Sequence, residues 1–229
     1  KLAAAREQFA DGTQVWTVSA DVADEESLGA AITAANERAP LTIAVANAGT
    51  GDIAPLVSTD TTRWQTVLDT NLTGCMFTFK HAATAIGRNG GGALCAVSSI
   101  AGIRTHRFMH AYSVSKAGID MLVRTSADEL GVAGIRVNSV CPGLVDTDIA
   151  QGLFATEAVH QDYLECMPLG RTGVVEDIAQ AIRFLCGPEA SWITGVSLSV
   201  DGGHHLRRGP NYEPFARAMF GDDVTDGRF

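Results

Sequence analysis

Apolar and polar positions follow two kinds of pattern along the 229-residue chain. Short runs that are apolar almost throughout predict buried strands, and longer stretches with apolar residues three and four positions apart predict amphipathic helices. The predicted strands cover residues 14–19, 41–46, 93–97, 135–141 and 196–200. A helix is predicted to start at Asp24, and others cover 60–86, 112–130 and 176–186. Residues 1–9 read as the end of one more helix, and residues 144–167 as a looser region.

The order of these elements predicts the fold class. Strands that alternate with helices form parallel βαβ units, and strands without polar positions are covered by helices on both faces. We therefore expect an α/β protein with a doubly wound, Rossmann-like parallel sheet. Because no repeat or linker divides residues 1–203, they are predicted to form a single domain. Gly, Pro, Asp and Arg become frequent afterwards, so residues 204–229 are predicted to form a carboxyl-terminal tail.

The charge balance and the cysteines limit the possible partners. A net charge of −9 argues against nucleic acid or an anionic membrane surface. No apolar run reaches the roughly 18 residues of a membrane span, and no signal peptide is visible, which predicts a cytoplasmic protein. The five Cys lie mostly in apolar runs, as is typical of buried thiols. No metal is expected, because the chain lacks a C-x-x-C pair and His204-His205 has no acidic partner at metal-ligand spacing.

Three residues predict a site for carbonyl and alcohol chemistry. Tyr112 and Lys116 lie four positions apart in a predicted helix, so both side chains share one face. A neighbouring ammonium favours the phenolate, so Lys116 is expected to lower the pKa of Tyr112. Ser99 follows a predicted strand, at the edge where open α/β sheets bind ligands, and could orient the substrate oxygen. A Tyr-x-x-x-Lys pair alone is a weak signal, but this chain contains only three Lys.

The order of these motifs resembles the short-chain dehydrogenase/reductase family over nearly the whole chain. Asn71, Ser99, Tyr112 and Lys116 match, in order, the family's four catalytic residues. The resemblance implies that Asn71 distorts its helix and helps to hold a water linked to the Lys, and that Lys116 also binds the nicotinamide ribose. It further implies cofactor contacts at Asp21, Val22, Asn47, Ala48, Gly49, Tyr112, Lys116, Pro142, Gly143, Val145 and Thr147.

One part of the family pattern is missing. The family opens with a strand, a Gly-rich turn, a helix and a second strand, and no such turn precedes Asp21. We therefore expect that the first β-α-β portion is absent from this sequence and that the natural chain begins upstream of Lys1. Since a Gly-rich turn at a helix N-terminus binds the cofactor phosphates, this chain alone is expected to bind NAD(P) poorly.

The resemblance implies an oxidoreductase that transfers a hydride between NAD or NADP and a secondary alcohol or ketone, with Tyr112 as general acid/base. Two alternatives stay open: an isomerase or dehydratase that retains its cofactor, and a non-enzymatic binding protein of the same fold. The family's substrate loop corresponds to residues 148–167. An apolar substrate pocket is expected around Ile103, Phe108, Met109, Leu144, Phe154 and Met167.

The resemblance also implies a homo-oligomer, most often a tetramer, that pairs through the helices carrying Asn71 and Tyr112. The outer faces of these helices are predicted to bear Ala82, Ala83, Ala117 and Met121, which would allow close helix packing.

Overall fold

A four-stranded parallel sheet forms the centre of the fold in the computed structural model, which describes Glu7, Phe9 and residues 12–228. The strands are β1 (Ile43–Ala46), β2 (Gly92–Val97), β3 (Ile135–Pro142) and β4 (Ser197–Val200), and they pair in that order. The middle strands β2 and β3 are buried over most of their length, as expected for a sheet covered on both faces. The predicted α/β fold with a doubly wound parallel sheet is confirmed.

Helices cover both faces of the sheet. They are α1 (Glu25–Arg38), α2 (Thr61–Leu68), α3 (Gly74–Arg88), α4 (His110–Leu130), α5 (Gln151–Phe154), α6 (Glu157–Cys166), α7 (Val175–Cys186) and α8 (Glu213–Thr225). Phe79 of α3 and Ile119 of α4 pack with β2 and β3 in one buried cluster. Ile178 of α7 packs in another cluster with Val140 of β3. The catalytic helix predicted from Tyr112 is therefore anchored directly on the sheet.

Most of the predicted elements agree with the structure to within two residues. The strands expected at 41–46, 93–97, 135–141 and 196–200 and the helices expected at 112–130 and 176–186 are present. Asp24 caps α1, because its Oδ1 accepts from the backbone N–H groups of Glu26 and Ser27 at 3.0 and 3.2 Å. The prediction for residues 1–9 lies almost entirely outside the described residues.

The strand predicted at 14–19 is wrong. This segment has no strand hydrogen bonding, and its apolar side chains are exposed to solvent, Trp16 to 51% and Val18 to 52%. A strand is stabilised by backbone pairing with a neighbour as much as by its own sequence. Among the described residues no strand lies beside it, since β1 pairs with β2 alone.

The looser region predicted after β3 is also wrong in part, because it contains helices α5 and α6. In α6, Val159, Tyr163 and Cys166 are buried at spacings of four and three, which is a helical stripe. The polar residues between them conceal the stripe in the sequence. The expected substrate loop is therefore largely helical.

The segment after Gly203 packs on the domain. Tyr212 and Ala216 are fully buried against Val159 and Tyr163 of α6. In the part of the chain that the structure describes, no helix has the length and apolar character needed to cross a membrane.

Candidate active site

The end of β2 is fixed against α4, the helix that carries Tyr112 and Lys116. Ser98 lies directly after β2, and its hydroxyl donates to the Lys116 backbone oxygen at 3.1 Å. Ser99 is 8% exposed, and its Oγ accepts from the Ala101 N–H at 3.1 Å. Gly102, at the end of the same short turn, allows the close contact with α4, because a Cβ there would lie 2.9 Å from the Lys116 carbonyl carbon. Ser99 is thus held in a fixed orientation at the carboxyl edge of the sheet.

Tyr112 and Lys116 face the same region, as their spacing predicts. Lys116 is 4% exposed, and its Nζ donates to the Val97 oxygen at 2.8 Å and lies 5.5 Å from the centre of the Tyr112 ring. Burial lowers the pKa of Lys116 to about 8. Burial also raises the pKa of Tyr112, and a side-chain hydrogen bond with Ser99 opposes this shift.

The pKa of Tyr112 is shifted in the direction opposite to the one that the sequence predicts. The sequence predicts that Lys116 lowers the pKa of the phenol, whereas in the structure the pKa is raised, with burial as the main cause. Burial disfavours the charged phenolate and outweighs the effect of the Lys116 ammonium, whose Nζ lies 5.5 Å from the ring centre. The phenol of Tyr112 is therefore protonated at neutral pH.

Asn71 joins three parts of the site. It lies in a π-helical turn (Asp69–Thr73) between α2 and α3, so the predicted helix over 60–86 is indeed distorted at this residue. Its Oδ1 accepts from the Thr50 N–H at 2.8 Å, and its Nδ2 donates to the Thr50 oxygen at 2.9 Å and to Ser115 Oγ at 3.0 Å. Ser115 in turn donates to the backbone carbonyl oxygen of Tyr112 at 2.7 Å. Asn71 thus connects the loop after β1 with the catalytic helix.

The loop after β1 brings the predicted cofactor residues Asn47, Ala48 and Gly49 to this site. A Cβ added at Gly49 would lie 3.5 Å from Asn71 Oδ1 and 3.6 Å from Lys116 Nζ, so the backbone of Gly49 borders both side chains. Asn47 and Ala48 line a cavity of about 370 Å³ beside β1. A nicotinamide cofactor fits this arrangement, because glycine leaves the space beside the Lys116 ammonium open.

The segment of Asp21 and Val22 reaches the same cavity through Val22. Val22 lines it, and the Val22 carbonyl approaches Gly74 so closely that a Cβ there would lie 2.9 Å away. Asp21 is exposed, and its Oδ1 accepts from the Ala23 N–H at 2.9 Å. Two predicted cofactor segments, the one at Asp21 and the one at Asn47, therefore share one groove.

The remaining predicted cofactor residues follow β3. Pro142 ends the strand, and Gly143 packs against Asp201, where a Cβ would lie 3.0 Å from the Asp201 Cα. Val145 forms a bridge with Gly173, and the Thr147 hydroxyl donates back to the Val145 oxygen at 3.4 Å. These contacts fix the loop.

Most of the residues expected around an apolar substrate pocket pack together in one buried cluster. Phe108, Leu144 and Met167 are buried in one cluster, with Met109 and Phe154 packed against it, whereas Ile103 is 46% exposed. The cluster includes Tyr163 and Tyr212, whose hydroxyls are hydrogen-bonded to each other. Sequence reasoning missed this pair, since Tyr163 and Tyr212 lie 49 positions apart and only the packing of α6 against residues 204–228 brings them together.

A larger cavity, of about 630 Å³, lies at the amino-terminal ends of the strands, lined by Thr42, Gly92, Arg136 and Trp192 among others. It contains none of the predicted site residues. We locate the active site at Tyr112 because the reactive groups converge there.

Comparison with known proteins identifies the family of the chain. A family model described as "Enoyl-(Acyl carrier protein) reductase" matches residues 1–205. The cis-4-hydroxycyclohexanecarboxylate dehydrogenase of Sinomonas cyclohexanicum is 39% identical over 195 residues, which are 84% of this chain and 78% of that protein. A protein named inactive 2-(S)-hydroxypropyl-CoM dehydrogenase 2, from Xanthobacter autotrophicus, is 37% identical over 84% of this chain and 86% of its own length.

Two solved structures are similar as well. A short-chain type dehydrogenase/reductase from Mycobacterium ulcerans is 36% identical, with a TM-score of 0.94 over 99% of this chain and 83% of its own. A 7α-hydroxysteroid dehydrogenase in complex with NADH and 7-oxo glycochenodeoxycholic acid is 33% identical, with a TM-score of 0.80 over 84% of this chain and 75% of its own. The chain therefore belongs to the short-chain dehydrogenase/reductase family, whose members here include enzymes named as dehydrogenases.

Proposed function

We propose that this protein catalyses reversible hydride transfer between NAD or NADP and a secondary alcohol or ketone. The observation that carries the proposal is the position of Lys116, whose Nζ borders Gly49 and lies 5.5 Å from the centre of the Tyr112 ring. Asn71 and Ser115 connect the same parts of the backbone. A side chain that can transfer a proton, next to a backbone segment that leaves room for a cofactor, suits the reduction of a carbonyl group. The bound nicotinamide supplies or accepts the hydride.

The residues around Tyr112 have separate roles in this proposal. Ser99 orients the substrate oxygen, and the protonated Tyr112 phenol donates its proton to that oxygen during reduction. Oxidation of an alcohol requires the phenolate, so this direction is favoured as pH rises. Lys116 holds a positive charge beside the ring and contacts the nicotinamide ribose, and Asn71 supports the proton relay. Such a proton-transfer group is typically worth about 10²–10⁴-fold in rate.

The same assignment gives the proposed cofactor contacts. They are Asp21, Val22, Asn47, Ala48, Gly49, Pro142, Gly143, Val145 and Thr147. Asp21 and Val22 would border the adenine, and Val145 and Thr147 the carboxamide. Turnover with NADH against NADPH distinguishes the two cofactors. The free Cys among the described residues are consistent with a reducing compartment such as the cytoplasm.

We also propose a homo-oligomer, with a tetramer favoured. The expected packing faces need one correction: Ala82 is fully buried and is not available to a partner, and Ala83 is half-buried against the core. On α4, by contrast, Val114 is 49% and Met121 52% exposed. Exposed apolar side chains along one helix support pairing through α4.

A panel of secondary alcohols and ketones, assayed by absorbance at 340 nm, tests the activity. Both cofactors are used at concentrations high enough to offset the weak binding that is expected of this chain. We expect stoichiometric oxidation of NADH or NADPH by at least one ketone. Conversion of a substrate without net cofactor turnover would instead favour an isomerase or dehydratase.

A second candidate function is non-enzymatic binding. The relative named as inactive favours it, since its identity to this chain, 37%, is close to the 39% of the protein named as cis-4-hydroxycyclohexanecarboxylate dehydrogenase. Cofactor binding without any turnover across the panel would support it. The intact set of Asn71, Ser99, Tyr112 and Lys116 argues for catalysis.

A further inference from the structure

A buried serine connects Asn71 with the backbone of Tyr112. Ser115 lies in α4 and is 0% exposed. Its Oγ accepts from Asn71 Nδ2 at 3.0 Å and donates to the backbone carbonyl oxygen of Tyr112 at 2.7 Å. The hydroxyl is therefore used both as an acceptor and as a donor, and it links the first turn of α4 to a side chain of another element.

The other end of this connection is fixed to the loop after β1. Asn71 is 1% exposed, and its Oδ1 accepts from the Thr50 N–H at 2.8 Å while its Nδ2 donates to the Thr50 oxygen at 2.9 Å. The amide nitrogen thus donates both to Thr50 and to Ser115. Because the amide cannot rotate without breaking these bonds, Asn71 holds Ser115 in a set position relative to Thr50.

Thr50 lies between two glycines that border the reactive side chains. A Cβ added at Gly49 would lie 3.6 Å from Lys116 Nζ, and one added at Gly51 would lie 3.7 Å from Tyr112 Cδ2. The loop after β1 therefore borders the ring of Tyr112 and is also linked to its backbone.

The hydroxyl of Ser115 is not a requirement of the helix. Serine is a weaker helix former than alanine, and a buried hydroxyl is unfavourable unless it is hydrogen-bonded. Thr125 of α4 is exposed and makes the same kind of bond, to the backbone oxygens of Met121 and Leu122, both at 3.1 Å. Among the described residues its hydroxyl bonds within the helix only, whereas the hydroxyl of Ser115 is also bonded to Asn71.

We propose that Ser115 is a positioning residue of the active site, which through Asn71 keeps the Tyr112 backbone, and with it the phenol, in a fixed position relative to residues 49–51. The inference rests on the proposed function in that Tyr112 is taken as the proton donor. Because Ser115 is fully buried, it touches neither substrate nor cofactor and acts through Tyr112. A small displacement of a reacting group lowers the rate strongly, so this connection should matter for kcat.

Ser115→Ala removes the hydroxyl, and its turnover is measured with a ketone that the panel identifies and with NADH or NADPH. We expect kcat to fall at least about tenfold through displacement of Tyr112, while the KM values for ketone and cofactor change less than about twofold. Thr125→Ala, which loses the same kind of bond in the same helix, should keep kcat and both KM values. A kcat as high in Ser115→Ala as in Thr125→Ala, or an effect on KM alone, would overturn the proposal.

Tyrosine NMR tests the position of Tyr112 without a substrate, because the chain contains only three Tyr. Protein labelled with ¹³C at tyrosine Cζ gives three signals, and Tyr112→Phe identifies the Tyr112 signal by its loss. In Ser115→Ala this signal should move by more than its line width, whereas the signals of Tyr163 and Tyr212 should stay in place. Thr125→Ala should leave all three signals unchanged. An unmoved Tyr112 signal in Ser115→Ala would overturn the proposal, whatever the change in kcat.

Circular dichroism checks folding, and Ser115→Cys provides a second variant that nearly keeps the volume of serine but has a weaker hydrogen-bonding group. It should behave as Ser115→Ala does. If neither variant folds, the proposal is overturned, because Ser115 would then be a residue of the fold. An unmodified protein without turnover would count against the proposed function, and the Tyr112 signal would still test the position of the phenol.

Discussion

Tyr112 carries the proposed proton transfer through a single oxygen atom. Tyr112→Phe keeps the ring and removes the ionisable hydroxyl, so we expect a loss of kcat of at least about 10²-fold. Thermal unfolding and cofactor binding should be nearly unchanged, because the ring contacts remain. Retention of more than about a tenth of kcat would mean that another residue moves the proton.

His106 should make stability fall in acid. It is 7% exposed, and burial lowers its pKa to about 4, against about 6.5 in an unfolded chain. The unfolded state therefore binds more protons between these values, and stability decreases as pH falls from about 6.5 to 4. We expect the free energy of unfolding to drop by about 2 kcal/mol between pH 7 and pH 5 through this residue.

Urea unfolding of the unmodified protein and of His106→Asn at both pH values measures that contribution. The Asn side chain can still donate to the Arg104 oxygen, as the imidazole Nδ1 does at 3.0 Å. The acid-induced loss should be smaller in the variant by about 2 kcal/mol. Equal losses of unfolding free energy in the two proteins would show that the pKa of His106 is not lowered in the folded state.

At the scale of elements, the π-helical turn at Asn71 links helices to the loop after β1. Asn71→Ala would leave the Thr50 N–H and C=O and the Ser115 hydroxyl without this partner in a buried site. Each unsatisfied group costs about 1–3 kcal/mol, so we expect a destabilisation of at least about 2 kcal/mol in urea unfolding.

Gln65→Ala, at an exposed position of α2, is the matched control and should change stability by less than about 0.5 kcal/mol. An Asn71→Ala variant as stable as this control would contradict the bridging role.

The sequence predicts elements well where a local pattern decides them. The strands of the sheet and helices α1, α4 and α7 follow from apolar runs and caps. The strand at 14–19 depends on a neighbour that no local pattern can supply, and α6 is concealed by polar residues between its buried positions.

The site residues divide in the same way. Asn71, Tyr112 and Lys116 could be chosen from the motifs. Ser98 and Ser115 could not, because their positions depend on hydrogen bonds to partners on other elements or to the backbone.

At the scale of the whole molecule, pairing through α4 can be tested by placing a charged side chain on the exposed face of this helix. Met121→Glu places a carboxylate on the exposed face of α4 and should shift the protein towards smaller species in sedimentation velocity at micromolar concentration. Met219→Glu, which is similarly exposed at 55% on α8, is the control and should sediment as the unmodified protein does. A monomeric unmodified protein would contradict the proposed oligomer.

The central claim, hydride transfer with Tyr112 as the acid, is tested most directly by isotope transfer. The protein is incubated with a ketone that the panel identifies and with NADH or NADPH deuterated at both C4 positions of the nicotinamide. The product alcohol, analysed by mass spectrometry and NMR, should carry one deuterium on the carbinol carbon, and Tyr112→Phe should form it at least about 10²-fold more slowly. Product without deuterium, or an unchanged rate in Tyr112→Phe, would contradict the proposed mechanism.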